Sequence, residues 1–173
     1  PRPDLLLIDG GPGQLAAAAA ALAAIAPRAY RTFNLIIADS RDAFWLRHAD
    51  ETGRTPIEVR PLLPGLAMIA SGDLDDPETP RLAHYRPRFL AAPAPDPARD
   101  DWSAWEALLC ANDTEPARAL RFTPDRGFAT VSSALIALPS HNRPALSARF
   151  RFRAYLPREN PWADVALDPA PPT

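Results

Sequence analysis

Apolar and polar positions fall into short blocks of different period along the chain, and the blocks predict its elements. Residues 4–8 are an apolar run ending in Asp9-Gly10-Gly11-Pro12-Gly13, and residues 14–25 form an alanine-rich helical stretch stopped at Pro27, so the opening reads strand, turn, helix. Residues 33–38 and 43–47 are strand-forming runs that flank Asp39-Ser40-Arg41-Asp42, a polar turn of the length that closes a hairpin. Residues 57–60 and 66–70 predict two more short strands around Pro61 and the Pro64-Gly65 turn. Thr79 and Pro80 supply an N-cap and first-turn pair for a helix running toward Leu90, which Pro87 is expected to kink or split.

In the second half, residues 91–99 alternate Ala and Pro, a composition that favours an extended surface connector. Residues 102–111 predict an amphipathic helix, since Trp102, Trp105, Leu108 and Leu109 recur at helical spacing. Residues 118–122, 128–138 and 145–155 read as three strands of an antiparallel meander, with turns at 124–127 and 140–144. Within the last of them Arg149, Arg151 and Arg153 alternate with Phe150 and Phe152, which predicts a solvated arginine face over an aromatic core face. Residues 166–173 form a proline-rich tail expected to fray. No period of 20 to 50 residues recurs, which speaks against a solenoid or propeller. The fold class expected is α+β, an antiparallel sheet with packed helices.

Composition narrows the function classes. At 173 residues, 47% hydrophobic and 23% charged, the chain has the size and balance of one globular domain. Its longest apolar stretch, residues 15–26, is mostly alanine and falls short of the ~20 residues that span a bilayer, so no transmembrane segment is expected. A net charge of -2 gives no global basic field, and no nucleic-acid partner is expected. All 19 basic residues are arginine, beside 22 prolines, a compositional bias that strips arginine number of functional meaning. The single cysteine, Cys110, excludes an intramolecular disulfide and a multi-cysteine zinc site and fits a reducing compartment, with the cytoplasm as the expected location.

The first chemical candidate is LIDGGPGQL, residues 7–15, where a strand running through glycines into a helix can present backbone N–H groups to an anion. It lacks the dinucleotide-binding spacing and the Gly-Lys-Ser/Thr of a P-loop. With its flank, PDLLLIDGGPGQL resembles the strand and turn in the C-terminal nuclease domain of the UvrC endonucleases. That resemblance implies a metal-binding catalytic role for Asp9. A single carboxylate does not fix an ion, and no partner motif follows downstream, so a turn or cap role for Asp9 stands beside it.

A second resemblance covers far more of the chain. AYRTFNLIIADSRDAFWLRH (29–48), VRPLLPGLAMIASGDLDDPETPR (59–81) and GFATVSSALIALP (127–139) are similar to successive blocks of the NRDE family, also called the transport and Golgi organization protein 2 family. FRFRAYLPRENPWADV resembles its closing strand and tail. The organisation expected is an atypical segment at 1–26, the C-terminal portion of an NRDE-family domain at 27–165, and a tail. The resemblance implies part of an N-terminal nucleophile hydrolase-like αββα sandwich, and roles in haem trafficking, lipid metabolism or membrane traffic. The family's terminal cysteine and its Asn-Arg-Asp-Glu block have no counterpart here, so catalytic residues and cofactor are left unassigned. Cys110 is expected to be a small buried hydrophobe inside a helix. Many relatives carry Ser-Asn where this chain has Ser71-Gly72, which bears on any side-chain amide in an oxyanion site.

Three functions follow as expectations: handling of a small hydrophobic ligand such as haem or a lipid, a thiol-dependent amide hydrolase lacking its nucleophile in this fragment, and a metal-dependent nuclease fragment of UvrC type. Of the remaining candidates, Asp73, Asp75, Asp76 and Glu78 lack the EF-hand order and read as helix-capping residues, and no metal site is assigned. His48, His84 and His141 are widely spaced. Ser132 and Ser133 lie in a strand without a GxSxG elbow. A fragment whose sheet lacks neighbours leaves Leu35, Ile37, Phe150 and Phe152 uncovered, and self-association is expected.

Overall fold

Phe33, Leu35 and Ile37 alternate with Asn34 and Ile36, so a strand over these residues has one wholly apolar face, and the α1 side of the first half of the molecule is built on that face. The structure, a computed structural model, describes residues 5–7, 14–113, 115–121, 129–143 and 145–167. In chain order its elements are β1 (Leu5–Leu7), α1 (Gln14–Ala23), β2 (Phe33–Ala38), β3 (Ala43–His48), β4 (Glu58–Pro61), α2 (Pro80–Ala91), α3 (Ser103–Cys110), β5 (Ser132–Ala137), β6 (Arg149–Ala154) and β7 (Ala163–Asp164). They form an α+β architecture with two small sheets, ordered β1-β2-β3-β4 and β5-β6-β7. The β1–β2 pair is parallel, a departure from the antiparallel expectation, because α1 carries the chain back to start β2 in the same direction as β1. All other pairs are antiparallel.

The hairpin forms where the sequence predicts it. The Asp39 carboxylate accepts the N–H groups of Arg41 (2.7 Å) and Asp42 (2.9 Å), which closes the polar turn. Register sets Leu35 opposite Leu46 and Ile37 opposite Phe44 on one face, and Ile36 opposite Trp45 and Asn34 opposite Arg47 on the other. Leu15 and Ala19 of α1 complete a buried cluster with Ile37, Leu46 and Ile57. Ile37 is fully buried and Leu35 half-buried, so the alanine-rich helix covers the strand face that the fragment reading leaves open. Small side chains let α1 approach the sheet closely, and Leu15 fills the remaining space. His48 shares this face, its ring 5.8 Å from that of Phe33, and neither ring nitrogen has a hydrogen-bond partner among the described residues.

Four expectations about local structure are corrected. Residues 66–70 form no strand; Ile69 makes a single bridge to Leu74. Side chains take the backbone groups a ladder would use: Met68 N–H donates to the Asp75 carboxylate (2.8 Å), and Arg86 Nη2 donates to Leu66 C=O (3.3 Å). Pro87 does not split α2, which runs unbroken on the buried stripe Leu82, Tyr85 and Phe89, whose packing outweighs the one ladder bond a proline forfeits. Residues 115–121 turn instead of extending, with the N–H groups of Arg118 and Ala119 both reaching Glu115 C=O at 3.0 and 3.1 Å. The third strand of the second sheet is β7, paired to β6 through Arg151–Asp164 and Phe152–Ala163. Residues 122–128, the Asp9 turn and the 168–173 tail lie outside the described residues.

The arginine face of β6 is the larger correction. Arg149, Arg151 and Arg153 share a face with Ala137, Leu135 and Ser133 of β5, and Leu135 is buried. Arg151 is the most enclosed, its side chain 14% exposed and paired at 2.8 Å with Glu106 of α3. Phe152, on the opposite face, is 36% exposed and makes an edge contact with Phe150. The sheet is therefore turned over relative to the alternation rule. Arginine tolerates this because its stem is apolar and its guanidinium stacks on rings, here Trp102 under Arg151 at 6.0 Å and Tyr155 under Arg153 at 5.6 Å.

Candidate functional site

Asp96, Pro97 and the residues after them form a tight turn because the Asp96 carboxylate accepts Ala98 N–H (3.2 Å) and Asp96 pairs with Asp101 in both directions (2.8 and 3.0 Å). Arg149, at the start of β6, reaches this turn through Nη1 to Pro97 C=O (3.1 Å) and through Nη2 to Asp100 (2.8 Å) and Asp164 (3.2 Å). The Arg149 guanidinium holds the Asp100 carboxyl below the usual carboxylate range. On the other side, the turn after β5 is held by Arg143 N–H to Ser140 C=O (2.7 Å), Leu146 N–H to Arg143 C=O (3.1 Å) and His141 N–H to Ser40 C=O (3.0 Å).

Between these two turns lies a groove of about 820 Å³, within the range of small-molecule sites. Pro97, Leu138, Pro139 and Leu146 give it apolar walls, and Arg143 and Arg149 stand among its lining residues. The two arginines differ in availability. Arg149 is neutralised by Asp100 and Asp164, whereas Arg143 is exposed and has no charged partner among the described residues. Asp96 also lines the groove, its carboxylate engaged with Ala98 N–H. An apolar body carrying a carboxylate matches this combination: burial drives association, and the free guanidinium orients the head group.

A second polar cluster joins α3 to the second sheet. The Tyr155 hydroxyl lies 3.1 Å from Ser133 Oγ, 3.4 Å from Leu109 C=O and 3.7 Å from Cys110 Sγ. Burial pushes the Tyr155 phenol above its ordinary pKa. Arg121 stacks on the same ring at 4.4 Å and shares the Glu159 carboxylate with Arg153. Cys110 lies in α3 as expected, as its last residue, but is half-buried, a correction to the buried thiol expected from sequence.

The remaining candidates are dispersed. His84 Nε2 stands 3.1 Å from an Asp113 carboxylate oxygen, His48 lies in the first core, and His141 is exposed. Asp73 pairs with Arg47, Asp75 with Arg86, and Asp76 accepts from Glu78 N–H (2.9 Å) and Thr79 Oγ1 (2.7 Å), so the acidic stretch closes its own loop. Thr79 occupies the N-cap position of α2 without capping through its side chain. Asn34, a residue not singled out from sequence within the 29–48 block, organises the loop bearing Ser71-Gly72: its Nδ2 donates to the C=O groups of Ala70 and Gly72, both at 3.1 Å. The signal available for it was a polar side chain in an otherwise apolar strand. Compared with protein-family models, curated proteins and solved structures, the chain matches none.

Proposed function

We propose that the chain handles a small amphipathic ligand bearing a carboxylate, of the haem or lipid class. The observation that supports this reading is the apolar groove lined by the exposed Arg143, which has no charged partner among the described residues. Its wall residues come from two turns braced by backbone hydrogen bonds, so the groove exists without a ligand to organise it and little ordering cost is left for binding. The similarity of residues 29–48, 59–81 and 127–139 to NRDE-family blocks points to the same ligand class.

Titration with haemin, followed by its absorption band, and with a fluorescent fatty acid is expected to give saturable one-to-one binding. Leu146→Asp, which puts a charge on the apolar wall, should weaken binding at least about tenfold, since even 1.4 kcal/mol is tenfold in affinity. Arg143→Ala should weaken the acid while leaving the corresponding long-chain alcohol unaffected. Absence of saturable binding, or equal affinity of acid and alcohol, would remove this reading.

A further inference from the structure

Strand β5 is an edge of the second sheet, and its length and chemistry together separate it from the other edges. Tyr155 N–H donates to Val131 C=O (2.8 Å), which makes Val131–Tyr155 a hydrogen-bonded pair of the antiparallel ladder. With the register Ser132–Ala154 through Ala137–Arg149, the alternation then turns the N–H and C=O groups of Ser133, Leu135 and Ala137 toward β6 and those of Ser132, Ala134 and Ile136 outward. The same phase is seen on the far side of β6, where Ala154 C=O accepts from Asn160 and Phe150 C=O from Val165. Among the described residues no backbone group meets the outward side of β5.

Edges left open in monomers are commonly guarded by charge, proline or shortness. The β4 edge of the first sheet carries Glu58, Arg60 and Pro61, the β1 edge is three residues long and β7 two. No charged residue or proline occurs from Val131 through Leu138, Ala134 is exposed, and Val131 is 58% exposed. The edge is also complementary to itself. Turned about a two-fold axis through Ala134, it sets Ala134 against Ala134 of the partner subunit and Ser132 against Ile136 of the partner subunit. No like charges meet, and the smallest side chain lies at the centre.

We propose that β5 is a homodimerisation edge, on which a second copy of this chain adds its own β5 antiparallel to make a continuous six-stranded sheet. Each of the three facing pairs exchanges two main-chain hydrogen bonds, about six in all. The contact is isologous and closes at two copies, so a discrete dimer forms instead of a fibre.

Sedimentation of the full chain over a range of concentrations is expected to show a monomer–dimer equilibrium. Ala134→Lys sets two like charges directly opposite each other and should weaken the dimer at least about tenfold. Ala134→Pro removes an outward N–H that the β5–β6 ladder does not use, and should do the same with an unchanged circular dichroism spectrum. In a Cys110→Ser background, Ala134→Cys is expected to form a covalent dimer on mild oxidation, because hydrogen-bonded antiparallel partners lie at Cα separations that a disulfide spans. A chain monomeric at all concentrations would overturn the proposal. A dimer unaffected by the lysine and proline variants and not trapped by Ala134→Cys would overturn it equally, by placing the contact elsewhere.

Discussion

Trp45→Ala is expected to cost about 4 kcal/mol of unfolding free energy, the middle of the range for truncating a large buried aromatic. Trp45 is 1% exposed in β3, on the face opposite α1, and its indole N–H donates to Asn34 Oδ1 at 3.0 Å. The Arg60 guanidinium lies 5.5 Å from the ring centre and closes it from outside. Truncation leaves a cavity and frees Asn34, whose amide holds Ala70 and Gly72, so the damage extends to the loop. Urea unfolding at 25 °C would show the midpoint fall with the slope unchanged, and amide exchange at residues 70–74 would rise. Trp45→Phe, which keeps much of the packing, should lose less than half as much. A loss under about 2 kcal/mol for the alanine variant would contradict the core position assigned to this ring.

Arg151→Ala should destabilise by about 2 to 3 kcal/mol, somewhat below the cost of breaking a fully buried ion pair because Arg151 and Glu106 keep some contact with water. The substitution strands Glu106, whose side chain is 20% exposed, and removes the cation above Trp102. Replacing both partners, as Arg151→Met with Glu106→Leu, is expected to recover most of the loss, since an apolar pair leaves no uncompensated charge. Arg151→Lys should recover less, because an ammonium offers neither the planar stacking surface nor the fork of donors. Thermal melts of the three variants beside the parent, with a shift of about 2 to 4 °C per kcal/mol for a chain of this size, resolve the series. An alanine variant as stable as the parent would mean that β6 does not turn its arginines toward α3.

These expectations also mark what was legible in sequence. The hairpin was, because alternation, a polar tetrapeptide and Asp39 at its first position all demand the same local geometry. Residues 66–70 misled because a short apolar run is compatible with a strand, and the partners that settled the matter, the Arg86 guanidinium as donor and the Asp75 carboxylate as acceptor, arrive from elsewhere in the fold. Pro87 misled for a related reason: the cost of a helix proline is local, while the burial of Tyr85 and Phe89 that offsets it is tertiary. The β6 face was inverted because alternation reveals two faces without saying which one meets a helix bearing Glu106 and Trp102. The groove was beyond reach altogether. Its walls come from turns far apart in sequence, and no spacing rule links Pro97 to Leu138 or Arg143.

The two sheets are held by unlike forces, and ionic strength separates them. The first rests on Leu15, Ile37, Leu46 and Ile57, whose burial excluded salts such as sulfate strengthen. The second is laced to its surroundings by Arg149, Arg151, Arg153 and Arg121 against Asp100, Asp164, Glu106 and Glu159, partly exposed pairs that mobile ions screen within about 3 Å at 1 M salt. Raising sodium chloride is therefore expected to loosen the second sheet ahead of the first, seen as amide exchange quickening in β5 and β6 while β2 and β3 stay protected. Cohesion in this molecule is thus a property of its medium in one half and of its apolar packing in the other.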